Sequence, residues 1–184
     1  MSFEAEKFIF GHIPKCGGVF LKSVSRKCNI IKKTYTDDYN FHAPISVFNE
    51  ELPILITIRS PYTWYSSMYH FLQRREWLPK DYGESFDEWF DMVTSDNMTL
   101  TRKYYDIMGC CRNEDYFIKL ENLREGYIKF LVDIGYEVTD RMVSRIRRQK
   151  IVNRNHISIE LNSKQKEKVR QVDAEIFKRY SFIS

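Results

Sequence analysis

The stretch Phe8–Leu21, which reads FIFGHIPKCGGVFL, constrains the fold of this chain more than any other part. An apolar run passes through His12 into Lys15-Cys16-Gly17-Gly18, and a helix-compatible segment, 19–27, follows. A strand, a tight glycine turn and a helix in this order are typical of α/β folds, in which the first amides of the helix face the turn and bind anions. Glycine lets the backbone approach a ligand closely, and lysine adds a mobile positive charge. The stretch therefore predicts a site for a phosphate or sulfate group.

The turn differs from the phosphate loop of nucleoside triphosphatases. That loop reads GxxxxGK[ST], and the Ser or Thr after its lysine helps to hold Mg²⁺. In this chain Lys15 precedes both glycines and is followed by Cys16. We therefore expect a site that binds phosphate without a metal ion.

A second strand is predicted at Leu52–Ile58, which reads LPILITI and has the composition of a strand buried on both faces. Arg59 follows it, and Pro61 suits the first turn of a helix predicted over 62–72. Ligands of open α/β sheets bind at the carboxyl ends of strands, and the forked guanidinium of arginine suits phosphate. Arg59, with a hydroxyl from Ser66 or Ser67 about two turns into the following helix, therefore predicts a second anion site.

The rest of the chain alternates between strand and helix patterns. The alternation predicts an α/β fold: a P-loop-like three-layer domain with a central, mainly parallel sheet flanked by helices. Further strands are predicted at about 7–13, 28–33 and 116–120, and further helices at 86–93, 100–108, 123–134 and 163–180.

The pair HIPKCGG and RSPYTWYSS resembles the two signature motifs of sulfotransferases that use 3′-phosphoadenosine 5′-phosphosulfate as the donor. Weaker similarity covers most of the chain, in the segments 41–44, 85–93, 116–123 and 151–182. The resemblance implies a single sulfotransferase-like domain over residues 1–184. It also implies transfer of a sulfuryl group to a hydroxyl of a carbohydrate or small-molecule acceptor, without a metal.

The same resemblance implies which residues bind the donor. The first motif would hold the 5′-phosphosulfate, Arg59 and Ser67 would hold the 3′-phosphate, and Arg154 belongs to a C-terminal cluster expected near the cofactor. The residues implied in the first motif are Lys15, Cys16, Gly17, Gly18, Val19, Phe20 and Leu21.

The chain departs from the family pattern at a few positions. Cys16, Val19 and Phe20 stand where hydroxyl residues are common, so backbone amides and Lys15 must carry more of the 5′-phosphate binding. Trp64 stands where the family often has arginine.

Sulfuryl transfer needs a cation at the leaving 5′-phosphate and a base for the acceptor hydroxyl. Lys15 is the expected cation, and His42, between the two motifs, is the expected base. His12 and Glu121 are alternatives for the base. His70 is expected to pack, and His156 to lie in the C-terminal cluster.

Composition bounds the remaining possibilities. No apolar stretch approaches the roughly 20 residues that span a bilayer, and the first residues fit no signal peptide. Four cysteines without a secretory context indicate reduced thiols, so we expect a cytoplasmic protein with no membrane partner. The net charge of +4 does not demand a polyanion, and no nucleic-acid motif is present. A basic run, 141–150, is interpreted either as a solvated helix face or as a patch that steers an anionic substrate.

Two other functions remain open. One is a small-molecule kinase with an atypical phosphate loop, although a metal-binding Asp is missing after the second strand. The other is a non-catalytic domain that binds nucleotides or polyanions.

Overall fold

We describe the protein from a computed structural model. The structure describes residues 2–34, 42–49, 51–78, 81, 83, 85–109, 113–151 and 159–182. Its contacts divide the chain into two compact units: Met1–Ile58 with Asp106–Asn153, and Arg59–Tyr105 with Arg154–Ser184. The predicted single domain over residues 1–184 stays a prediction.

The described chain forms one five-stranded sheet in the order β3-β1-β2-β4-β5. The strands are β1 (Phe3–Ala5), β2 (Ile9–Gly11), β3 (Ile31–Thr34), β4 (Ile54–Ile58) and β5 (Tyr116–Lys119). Strand β1 pairs antiparallel with β2 and β3, whereas β2 pairs parallel with β4 and β4 with β5. The α/β class is confirmed, and the sheet is a mixed one with two parallel and two antiparallel pairings.

The antiparallel pairings arise from β1, which the sequence pattern did not predict. Phe3 lies opposite Phe10, and the amide of Ala5 donates to the carbonyl of Phe8 at 2.8 Å across the tight turn. A strand of three residues is too short for an alternating pattern to be recognised. The hairpin shortens the predicted strand 7–13 to Ile9–Gly11.

Eight α-helices are described in these residues. They are α1 (Gly18–Lys27), α2 (Pro61–Arg74), α3 (Phe86–Ser95), α4 (Leu100–Met108), α5 (Leu123–Asp133), α6 (Asp140–Arg148), α7 (Ser163–Val172) and α8 (Ala174–Tyr180). Within the described ranges, no helix has the length and apolar character required to cross a bilayer.

The first unit has an aromatic core beneath the sheet. Phe8 packs edge-to-face on Phe130 of α5 at 5.0 Å between ring centroids, and Phe3 contacts Phe10 at 5.1 Å. Tyr127 is 0% exposed, and its hydroxyl lies 2.6 Å from the hydroxyl of Ser25 on α1. These contacts fix α1 and α5 against the sheet, and α1 carries the first predicted anion site.

The second unit is organised around a buried carboxylate, Asp173, which is 0% exposed. It accepts a hydrogen bond from the hydroxyl of Tyr65 at 2.7 Å, and two from Thr101, through the amide and the hydroxyl, both at 2.8 Å. The residue also separates α7 from α8, so the single helix predicted over 163–180 is wrong. The helix is interrupted at Asp173 because its carboxylate points inward and accepts hydrogen bonds from α2 and α4.

Candidate anion-binding turn and histidine pair

The turn after β2 contains two residues with left-handed backbone conformation. Lys15 has a φ of 64° and Gly17 a φ of 93°, and both values lie in the left-handed region. The amide of Cys16 lies 3.4 Å from the carbonyl of Ile13. A lysine in this region costs on the order of 1 kcal/mol, and such strain is found most often at ligand sites.

Helix α1 begins directly after the turn. Gly17 is its N-cap, no described side chain caps it, and its first turn holds no acidic residue. The positive end of the helix dipole therefore faces the turn, and no acidic residue of the helix's own first turn neutralises it. The helix's own hydrogen bonding begins at Leu21, whose amide donates to the carbonyl of Gly17 at 3.2 Å. Three of the residues predicted to contact the anion lie in the first turn of the helix: Gly18, Val19 and Phe20. The backbone amides of a first turn have no hydrogen-bond partner within the helix.

Both glycines are required by close neighbours. A Cβ on Gly17 would lie 2.9 Å from Leu123 Cδ2 and 3.0 Å from Leu120 Cδ1. A Cβ on Gly18 would lie only 1.8 Å from Cδ2 of His12. The imidazole of His12 therefore packs directly on Gly18, the first residue of α1.

The predicted base, His42, lies against the same histidine. The two imidazole rings are stacked, with centroids 4.6 Å apart and an interplanar angle of 13°. His12 is buried, at 6% exposure, and His42 is half-buried. The structure thus brings His42 next to the residue that covers the start of α1, although thirty positions separate the two histidines in sequence.

The tautomer of His42 follows from its contact with the backbone. Its Nδ1 lies 3.1 Å from the carbonyl oxygen of His12. A carbonyl can only accept, so Nδ1 carries the hydrogen, and in the neutral ring the lone pair lies on Nε2. Nε2 is the atom that could take up a proton.

The second predicted anion site lies in the other unit. Nε of Arg59 donates to the hydroxyl of Thr63 at 2.9 Å, and that hydroxyl donates to the carbonyl of Ser60 at 3.2 Å. These contacts orient the guanidinium through its Nε. A bidentate contact with phosphate through Nη1 and Nη2 would not use that nitrogen. Ser67 is buried on α2, at 2% exposure. Sequence reasoning missed Thr63, which lies in the first turn of α2 while Arg59 precedes the N-cap Ser60.

Of the other residues predicted to act in the site, some lie in the described part of the chain and some outside it. Glu121 is exposed in a short turn after β5, and His70 on α2 packs against Tyr69 with 5.8 Å between ring centroids. Arg154 and His156 lie outside the described residues. Cys16 is 0% exposed, which fits a small residue packed inside the turn.

Several cations of the basic run on α6 have structural contacts. Arg145 donates to the carbonyl of Lys27 at 2.6 Å, at the end of α1. Arg147 binds both carboxylate oxygens of Glu125, each at 2.9 Å, which lowers the pKa of that carboxyl. Burial, and to a smaller extent the neighbouring Arg26, lowers the pKa of Lys22 on α1.

Neither the comparison with protein-family models nor that with curated proteins gives a match to this chain. In the part of the chain that the structure describes, no group of three or more His, Cys, Asp or Glu side chains is arranged to hold a metal ion.

Proposed function

We propose that the chain is a sulfotransferase that moves a sulfuryl group from 3′-phosphoadenosine 5′-phosphosulfate to a hydroxyl of a carbohydrate or small-molecule acceptor. The observation that carries the proposal is the glycine turn before α1, with the stacked pair of histidines beside it. In this proposal, β2, β4 and β5 are the parallel centre of a P-loop-like, three-layer domain in the cytoplasm.

The residues of the turn have the chemistry that the donor's 5′-phosphosulfate requires. The amides at the start of α1 and the ammonium of Lys15 offer positive charge to a phosphate, and the first turn of the helix has no acidic residue. The same groups would stabilise the negative charge that remains on the 5′-phosphate when the sulfur–oxygen bond breaks. When bound, the donor supplies an activated sulfuryl group.

His42 is the proposed base for the acceptor. Its Nδ1–H is held by the carbonyl of His12, so its Nε2 can take the proton from the acceptor hydroxyl as the new oxygen–sulfur bond forms. Arg59 and Ser67 are proposed to bind the 3′-phosphate, with Thr63 orienting the guanidinium. No described residue identifies the acceptor beyond its hydroxyl group.

The first test is a thermal-shift titration with adenosine 3′,5′-bisphosphate, run beside ATP and ADP with and without Mg²⁺. A ligand at 100 times its dissociation constant stabilises the folded state by about 2.7 kcal/mol. We expect stabilisation by the bisphosphate without metal, reduced in Arg59→Ala and retained in Arg74→Ala, which removes an exposed arginine at the end of α2.

The other outcomes of this titration have definite meanings. Stabilisation by Mg²⁺-ATP alone would replace the proposal with a kinase. Absence of a response to every nucleotide would contradict donor binding altogether.

A second test addresses the base. The amide nitrogen of asparagine can replace Nδ1 of His42 in its hydrogen bond to His12, but asparagine has no basic nitrogen. We expect His42→Asn and His42→Ala to lower turnover equally, by about 10²–10⁴-fold, since general base catalysis contributes that range. Bisphosphate affinity should stay within about twofold of the wild type, since the proposal assigns the two phosphates to the turn and to Arg59 with Ser67, and not to His42. An active His42→Asn variant would transfer the role of base to His12 or Glu121.

A further inference from the structure

One buried hydroxyl connects the two backbone segments that carry the histidine pair. Ser2 is 0% exposed, and its Oγ lies 2.9 Å from the carbonyl oxygen of Ala43 and 3.2 Å from the amide nitrogen of His12. The His12 amide can only donate, so Oγ accepts from it and must direct its own hydrogen to Ala43. Each hydrogen bond thus has a single possible direction.

This arrangement uses both backbone groups of His12. Its amide is bound by Ser2, and its carbonyl accepts from Nδ1 of His42. Ala43, which follows His42, is bound by the same serine. The segment bearing His42 is therefore attached to the end of β2 at two points, one through the side chain of His42 and one through Ser2.

We propose that Ser2 is a positioning residue for His42: it holds the backbone so that Nδ1 of His42 reaches the His12 carbonyl and Nε2 carries the lone pair. The inference rests on the proposed function for the role of His42 as base. A residue with one donor and one acceptor on a short side chain is needed, and serine meets that need.

Replacement by alanine would remove the buried hydrogen bonds that Ser2 makes with the His12 amide and the Ala43 carbonyl. Ala43 is 0% exposed, so water cannot readily compensate for the lost bond. We expect the segment to shift, the stacking of the rings to loosen, and the preference of His42 for protonated Nδ1 to weaken. The turn before α1 does not involve Ser2, so anion binding should persist.

The experiment has a structural readout and a kinetic one. Nitrogen-15 spectra of the imidazole rings report the tautomer of His42 in the wild type, Ser2→Ala, Ser2→Thr and the control Ser23→Ala, which alters a serine of α1. Release of adenosine 3′,5′-bisphosphate from the donor is then measured for the same proteins and for Ser2→Ala in the His42→Asn background.

We expect the wild type to carry its imidazole hydrogen on Nδ1 and Ser2→Ala to lose that preference, while Ser23→Ala and Ser2→Thr, which keeps the hydroxyl, retain it. Turnover should fall about tenfold in Ser2→Ala with KM for the donor unchanged, and Ser2→Ala should cause no further loss when His42 is already asparagine. A residue that only stabilises the fold would lower turnover equally in both backgrounds.

The results separate the two claims. A wild-type His42 with its hydrogen on Nε2 overturns the positioning role even if Ser2→Ala fails to fold. An unchanged tautomer in folded Ser2→Ala overturns it as well. A tautomer change in a protein that never releases the bisphosphate supports the positioning role and contradicts the sulfotransferase.

Discussion

At the scale of single residues, the candidate site depends on very close packing between a glycine and a histidine. The imidazole of His12 occupies the space that a side chain on Gly18 would need. The same ring supports His42, so the geometry at this one contact extends to the proposed base.

The contact predicts an unusual response to Gly18→Ala. In the first turn of an ordinary helix this change would stabilise by up to about 1 kcal/mol. Here the new Cβ would lie 1.8 Å from His12, so we expect a loss of about 1–3 kcal/mol from overpacking. Urea unfolding measures the effect.

A second variant tests whether the overpacking in Gly18→Ala arises from contact of the new methyl group with His12. His12→Ala removes the ring that the new methyl group would meet, so the added cost of Gly18→Ala should disappear in that background. Gly18→Ala as stable as the wild type would show that His12 does not cover this residue.

At the scale of secondary-structure elements, the parts that could be predicted are local. The turn before α1 and the helix itself follow from adjacent residues, Pro14 to Gly18, and α4 occupies the predicted 100–108. The short strand β1 could not be predicted, because only pairing with β2 and β3 makes it a strand. The roles of Ser2 and of the stacked rings depend on residues distant in sequence, which no local pattern reports.

The break between α7 and α8 has the same origin. The segment 163–180 has helical composition throughout, but Asp173 accepts hydrogen bonds from Tyr65 on α2 and Thr101 on α4. A tertiary contact thus overrides local helix propensity.

The buried carboxylate at this break predicts a dependence of stability on pH. Burial raises the pKa of Asp173 above its ordinary 3.8, against the opposing effect of its hydrogen bonds from Tyr65 and Thr101. As the pH rises past 3.8, the unfolded chain loses the proton first, so the free energy of unfolding falls until the raised pKa is passed. Asp173→Asn cannot ionise, so its unfolding free energy should lack this fall.

Asp173→Ala provides the matched comparison. It removes the acceptor shared by the hydroxyl of Tyr65 and two donors of Thr101, and we expect it to cost about 2–4 kcal/mol at every pH. Urea unfolding of the three proteins between about pH 3.5 and 7 separates the pH-dependent effect of ionisation from the constant cost of the lost hydrogen bonds. The range begins near the ordinary aspartate pKa of about 3.9. Identical pH profiles for the wild type and Asp173→Asn would contradict a raised pKa.

At the scale of the whole molecule, charge is unevenly distributed. The chain has a net charge of +4, yet α6 alone carries Arg141, Arg145, Arg147 and Arg148. Arg145 contacts the last residue of α1, which places this part of α6 at the opposite end of α1 from the turn between β2 and α1. The ten residues of α1 span about 15 Å.

For the part of α6 around Arg145, this distance favours the interpretation as a solvated helix face. Charges are screened over about 8 Å at physiological ionic strength and over about 30 Å at 0.01 M. The test neutralises the exposed Arg141 and Arg148 together, by Arg141→Gln and Arg148→Gln. We expect the association rate of adenosine 3′,5′-bisphosphate to stay within about twofold of the wild type at 0.15 M salt and to fall at 0.01 M. Lys164→Gln with Lys168→Gln, on α7, removes the same total charge as a control. Stopped-flow measurements at both salt concentrations compare the association rates of the variants. At 0.15 M salt, only charges close to the path of the ligand still affect its association. Slower association at 0.15 M in the arginine variant alone would therefore contradict the solvated-face interpretation.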